Sequence, residues 1–129
     1  MAAASLTFAG VPERYPNIRW ALCHLGGTIP YLVERLDRGF HNFKDCRAKI
    51  QRPPSTYLKE FYYDTVNFDQ GALKLAIDFA GADHILAGSD YPHQIGSIPK
   101  MKESLSALRV SDSERKQIFG ENARKLYRL

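Results

Sequence analysis

The sequence predicts an α/β protein built on parallel strands, and three observations predict it. Short apolar runs alternate with amphipathic segments in the order β-α-β-α-β-α, the pattern of parallel strands joined by right-handed crossovers. Capping and turn residues mark the joins. Each strand-like run also finishes on a polar, chemically capable residue: His24, Asp64 and Asp90.

The first strand is "IRWALCH" (18–24), a mostly apolar run of the kind buried on both faces of a parallel sheet. "TIPYLVERLDRGF" (28–40) reads as a helix. Thr28 is placed to cap it, Pro30 suits its first turn, and Leu32, Val33 and Leu36 share one face. "QRPPST" (51–56) reads as a polar loop. "FYYDTV" (61–66), aromatic and β-branched, is the second strand. "DQGALKLAIDFAG" (69–81) is the second long helix, with Leu73, Ala76, Ile77 and Ala80 inward and Gly81 as its stop. "HILAGSD" (84–90) is the third strand. Residues 100–108 suggest a short helix. Ser111 and Glu114 form a capping box ahead of "RKQIF", and "NARKLYRL" is helical again after Gly120.

Composition bounds the function. The chain has 129 residues, 44% hydrophobic and 25% charged, with a net charge of +4, an ordinary globular balance. No apolar run approaches the ~20 residues of a membrane span, and "MAAASLTFAG", without a charged n-region or a convincing apolar h-region, is not expected to act as a secretory leader. Cys23 and Cys46 have no metal-type spacing and read as free thiols of a cytoplasmic protein. The basic stretch 35–52 brings no nucleic-acid recognition motif. It is a solvated segment or a grip for a small carboxylate.

Parallel strands put their C-terminal ends on one edge, where α/β proteins bind ligands. One imidazole and two carboxylates therefore converge. His24, beside Gly26 and Gly27, is either a satisfied core histidine or a proton-transfer group. Asp90 is a turn former or a ligand. Asp64, between Tyr63 and Thr65, is read as a carboxylate held by nearby hydroxyls or amides. Arg35 is a surface arginine or a substrate contact. His93 belongs to a loop, and His41 and His84 have no assigned partner. His24, Asp90, Asp64 and His93 lack the spacing of a complete metal set, since a catalytic zinc takes three protein ligands.

Taken together, "HLGG-x-x-P-x-x-x-x-R" (24–35), "FYYDTV", "GADHILAGSDYPH" (81–93) and "IFGENARKLYRL" (118–129) resemble the C-terminal half of the amidohydrolase-related enzymes. The nearest branch is the 2-amino-3-carboxymuconate-6-semialdehyde decarboxylase type. The resemblance implies that residues 1–129 form part of a TIM (β/α)8 barrel, about strands 6–8 with their helices. It implies a divalent metal, zinc by expectation, with Asp90 as ligand and His24 as the acid/base. Arg35 would reach a substrate carboxylate in a homodimer, and Tyr91 would line the pocket. Asp64 receives no catalytic role. The H-x-H and further histidine that complete such a site are not in this sequence. The expectation is a barrel fragment of a hydrolase or decarboxylase acting on a small carboxylate. The alternative is an inactive half-barrel that serves only as a partner.

Overall fold

The computed structural model describes residues 2–129. Three parallel strands form one sheet in the order β1 (Ala21–Leu22), β2 (Tyr62–Asp64), β3 (Ile85–Leu86). Ala21 pairs with Tyr62, Leu22 with Tyr63, Tyr63 with Ile85 and Asp64 with Leu86. The alternation read from the sequence is thus realised, with shorter strands than expected. The first strand departs most. Ile18 is 49% exposed and Cys23 is exposed, because β1 is an edge strand packed through one side rather than a central strand covered on both.

Helices α1 (Ala2–Phe8) and α2 (Val11–Arg14) precede β1. Helix α3 (Ile29–Asn42) follows it, with Pro30 in its first turn. Thr28 occupies the N-cap position without a side-chain capping bond. The residues of α3 that bury fully are Ile29, Pro30 and Phe40; Val33 and Leu36 pack only partly on the core. The expected loop at 51–56 instead opens α4 (Pro54–Leu58), since a proline at the first helical position loses no hydrogen bond.

Helix α5 (Gln70–Ala80) matches its expected span. Asp69 accepts from the Ala72 amide at 2.9 Å, and Gly81 ends the helix at φ 89°. Its Leu73 and Ala76 are fully buried against the sheet. Helix α6 (Ile98–Ala107) begins at Ser97, which accepts from Lys100 N at 3.2 Å. The Ser111–Glu114 capping box of α7 (Asp112–Lys116) is complete. A π-turn at Gln117–Glu121 then carries the chain into α8 (Asn122–Tyr127), so Gly120 does not separate two helices.

The core gathers Leu25, Leu58, Phe61, Tyr63, Leu73, Ile85, Leu105 and Ile118 around the sheet. Burying a side chain of this size fully stabilises by ~1.5–3 kcal/mol. Asn122 ties α8 to this core: its Nδ2 donates to the Ala82 and Ile85 carbonyls, both at 2.8 Å. A smaller cluster of Phe40, Ile50 and Tyr57 seats the N-terminal helices.

Glu13 ties α2 to α4 and the segment before it. Its carboxylate accepts from the Tyr57 hydroxyl and from Gln51 N. The Tyr57 hydroxyl, more than the Gln51 amide, holds its carboxyl below the ordinary glutamate range. A carboxyl that titrates lower when folded adds stability at pH above its unfolded value and loses it as pH falls through the folded one. Glu13→Gln is therefore expected to flatten the decline of stability below about pH 4.5, followed by urea unfolding across the acid range. An unchanged slope would remove Glu13 from the list of acid-sensitive contacts.

Among the described residues no helix is long and apolar enough to cross a membrane.

Candidate functional site

The site is built at the C-terminal ends of the strands. Beyond β1 the backbone turns left-handed over four successive residues: His24 (φ 54°), Leu25 (φ 54°), Gly26 (φ 72°) and Gly27 (φ 60°). A non-glycine residue held this way costs ~1–2 kcal/mol, although histidine is among those that tolerate it better. Two contacts hold the turn. Leu25 is buried in the core, 3% exposed. Its amide donates to Asp64 Oδ1 at 2.9 Å, and the same oxygen accepts from Val66 N at 3.0 Å. Hydrogen bonds to an ionised acceptor are the stronger kind. Gly26 rests on the Tyr63 ring, where a Cβ would lie 2.5 Å from Cε1. The turn lifts the His24 imidazole into solvent, leaving its side chain 64% exposed.

Beyond β3 a side chain takes over from backbone pairing. The buried Thr65 hydroxyl donates to Gly88 O at 3.1 Å and accepts from Gly88 N at 3.0 Å. A Cβ on Gly88 would lie 3.0 Å from Asp64 Cβ, so the two strand ends meet closely there. Asp90 follows with φ 57°. The loop after it is closed at its base, with Ser97 N donating to Ser89 O at 2.7 Å. Inside it, His93 N donates to Asp90 O and Gly96 N to His93 O, each at 2.9 Å.

These two exits bring His24 Nε2 to 3.8 Å from Asp90 Oδ1, with the Asp90 side chain only 16% exposed. Non-glycine residues held at unusual φ cluster at functional sites, and His24 and Asp90 are two of the five such residues among the described residues. Of the other candidates, Asp64 has the reading given from sequence, a carboxylate occupied by backbone amides. Tyr91 adjoins Asp90 and is 71% exposed. Arg35 lies apart, lining a surface groove of about 970 Å³ with Phe8, Leu32, Leu36 and Phe43; neither His24 nor Asp90 lines that groove. His84 sits with Nδ1 3.2 Å from Asp83 Oδ1 and its ring 5.0 Å from that of Tyr62, and His41 meets Phe40 edge-on. The role of Thr65 carried no signal in the sequence, because a buried threonine in a strand is usually only a β-former.

An imidazole nitrogen and a carboxylate oxygen suit a divalent first-row metal. Among the described residues no third histidine, cysteine, aspartate or glutamate joins them to make a metal-holding group. The donor types fit such an ion; their number does not suffice.

Parallel strands that present an imidazole and a carboxylate at their C-terminal edge define a familiar class of α/β enzyme scaffold. The chain belongs to the amidohydrolase family, whose profile matches residues 2–129. It is 29% identical over 124 residues to a 2-amino-3-carboxymuconate-6-semialdehyde decarboxylase of Dictyostelium discoideum, covering 95% of this chain and 34% of that protein. It is 30% identical over 130 residues to a gamma-resorcylate decarboxylase of Polaromonas sp. strain JS666, covering 98% of this chain and 39% of that one. The solved dihydroxybenzoic acid decarboxylase from Polaromonas sp. JS666, with bound manganese and the inhibitor 2-nitroresorcinol, superposes with a TM-score of 0.86 at 31% identity. That match covers 98% of this chain and 39% of the solved one. TIM-barrel decarboxylases are among the structural neighbours, and this chain spans roughly two fifths of their length.

Proposed function

We propose that this chain supplies about strands 6–8, with their helices, to a metal-dependent carboxy-lyase barrel acting on a small, carboxylate-bearing aromatic substrate. The observation that carries the reading is the 3.8 Å approach of His24 to Asp90 at the sheet edge. The decarboxylases among the relatives supply the reaction class.

In this reading Asp90 holds the metal with ligands from outside residues 1–129. A divalent metal, when bound, would polarise the substrate and fix its orientation. His24 delivers a proton to the substrate carbon as the bond to the carboxyl group breaks; the electron pair stays on that carbon and CO2 departs. Tyr91 lines the pocket. Arg35 lies in a separate groove of this chain, so its reach to a substrate carboxylate is that of a neighbouring subunit in a homodimer. Manganese is the first ion to test, because a solved relative holds it; zinc, implied by the resemblance, is the comparison. Hydrolysis through metal-activated water is the competing reaction on the same groups.

The test uses an active assembly that contains this chain. Asp90→Asn is expected to lower Mn2+ occupancy, read by elemental analysis after gel filtration, by about tenfold or more, since losing a charged ligand costs more than one hydrogen bond. Full occupancy would remove Asp90 from the ligand set. A second reading, a chain that only pairs with a partner, is favoured by the two-member donor set. Turnover that depends on His24 would overturn it.

A further inference from the structure

We infer that Asp64, the last residue of β2, and Thr65, the residue that follows it, form a clamp that sets the separation of His24 and Asp90. The inference deepens the proposed function by naming positioning residues for its site.

The two side chains reach toward opposite neighbours. Asp64 Oδ1 grips the Leu25 amide, one residue after His24. Thr65 Oγ1 grips both backbone groups of Gly88, two residues before Asp90. The central strand therefore holds the exit of each neighbour through one side chain. Backbone pairing alone cannot do this: the paired register stops at Leu22 on one side and Leu86 on the other. Both held exits lead into left-handed residues, which would relax if released. Thr65 is fully buried, so its hydroxyl has no solvent alternative. Gly88 lacks a Cβ where one would press on Asp64, which lets the two grips sit side by side. Asp64 also accepts from Val66 N, which fixes the orientation of its own carboxylate.

The prediction is read by NMR on the metal-free 129-residue chain. Asp64→Ala is expected to speed exchange of the Leu25 amide, and Thr65→Val that of the Gly88 amide, each by on the order of tenfold. Each variant should also lose the nuclear Overhauser contact between the His24 ring and the Asp90 β-protons. Asp64→Asn and Thr65→Ser retain an acceptor or hydroxyl and should restore both readouts. The amides of Leu73 and Gly81, bonded within α5 to Asp69 O and Ile77 O, report whether the fold persists. Where an alanine or valine variant loses that protection too, the decision passes to the Asn and Ser variants. They must then keep the His24–Asp90 contact, and its loss with Leu25 and Gly88 still protected would overturn the clamp. Variants that lose the grip yet keep the contact would overturn it as well. Mn2+ occupancy of an active assembly carrying Asp90→Asn separates this inference from the functional reading. Retained occupancy there rejects the metal assignment and leaves the clamp to be decided by the metal-free data.

Discussion

In an active assembly containing this chain, His24→Asn is expected to lower kcat by ~10²–10⁴-fold, the range a positioned acid or base contributes. Three features make this substitution a clean test. The side chain is largely exposed, 64%, so little packing is lost. Its backbone is left-handed, φ 54°, a conformation that asparagine also tolerates. The amide is similar in reach but cannot carry a proton between substrate and solvent near neutral pH. Stability should therefore stay within about 0.5 kcal/mol of the wild type, and bound metal should be retained. Loss of metal together with activity would make His24 a ligand rather than an acid/base. Unchanged turnover would remove it from the chemistry.

The second large effect concerns the turn beneath that imidazole. Gly26→Ala is expected to destabilise the fold by about 3 kcal/mol, the sum of a left-handed penalty and overpacking. At φ 72° an alanine is strained, and its Cβ would lie 2.5 Å and 2.7 Å from two atoms of the Tyr63 ring. That ring cannot easily yield. It is fully buried, its hydroxyl donates to Leu58 O at 2.7 Å, and Phe79 meets it edge-on. Against a typical total of ~5–15 kcal/mol, such a loss is large. At Gly27 a Cβ meets nothing within 4 Å, so Gly27→Ala reports backbone strain alone, at φ 60° and ψ −119°. A urea midpoint unchanged by Gly26→Ala would mean the Tyr63 contact contributes nothing.

Much of this was legible in the sequence. Periodicity located α5 nearly to the residue, and the S-x-x-E spacing announced the capping box realised at Ser111 and Glu114. Local chemistry determines these features, so a local reading finds them. The strands were read too long, at 18–24 and 84–90 against Ala21–Leu22 and Ile85–Leu86. Apolar runs do not disclose where pairing stops, and here Thr65 replaces backbone pairing with a side chain. Pro53-Pro54 looked like loop and proved to start a helix. His24 and Asp90 could be nominated because strand ends share an edge, but their 3.8 Å approach depends on left-handed turns that no spacing rule reports. Asp64 was read correctly as structurally occupied; the partner it holds, Leu25, lies 39 residues away in sequence.

The loop that leaves Asp90 behaves as a detachable cassette. Its mouth is stapled by Ser97 to Ser89, and Gly96 presses against the Asp90 carbonyl, where a Cβ would lie 2.2 Å away. Its tip carries Tyr91 and Ile95, 71% and 83% exposed. Exchanges among the exposed tip side chains are expected to leave the stapled base and the aspartate beside it in place. Under the proposed function, substitutions at positions 91–95 are expected to shift substrate preference while His24 and Asp90 stay put, which makes this short segment a natural place to retune selectivity by directed evolution.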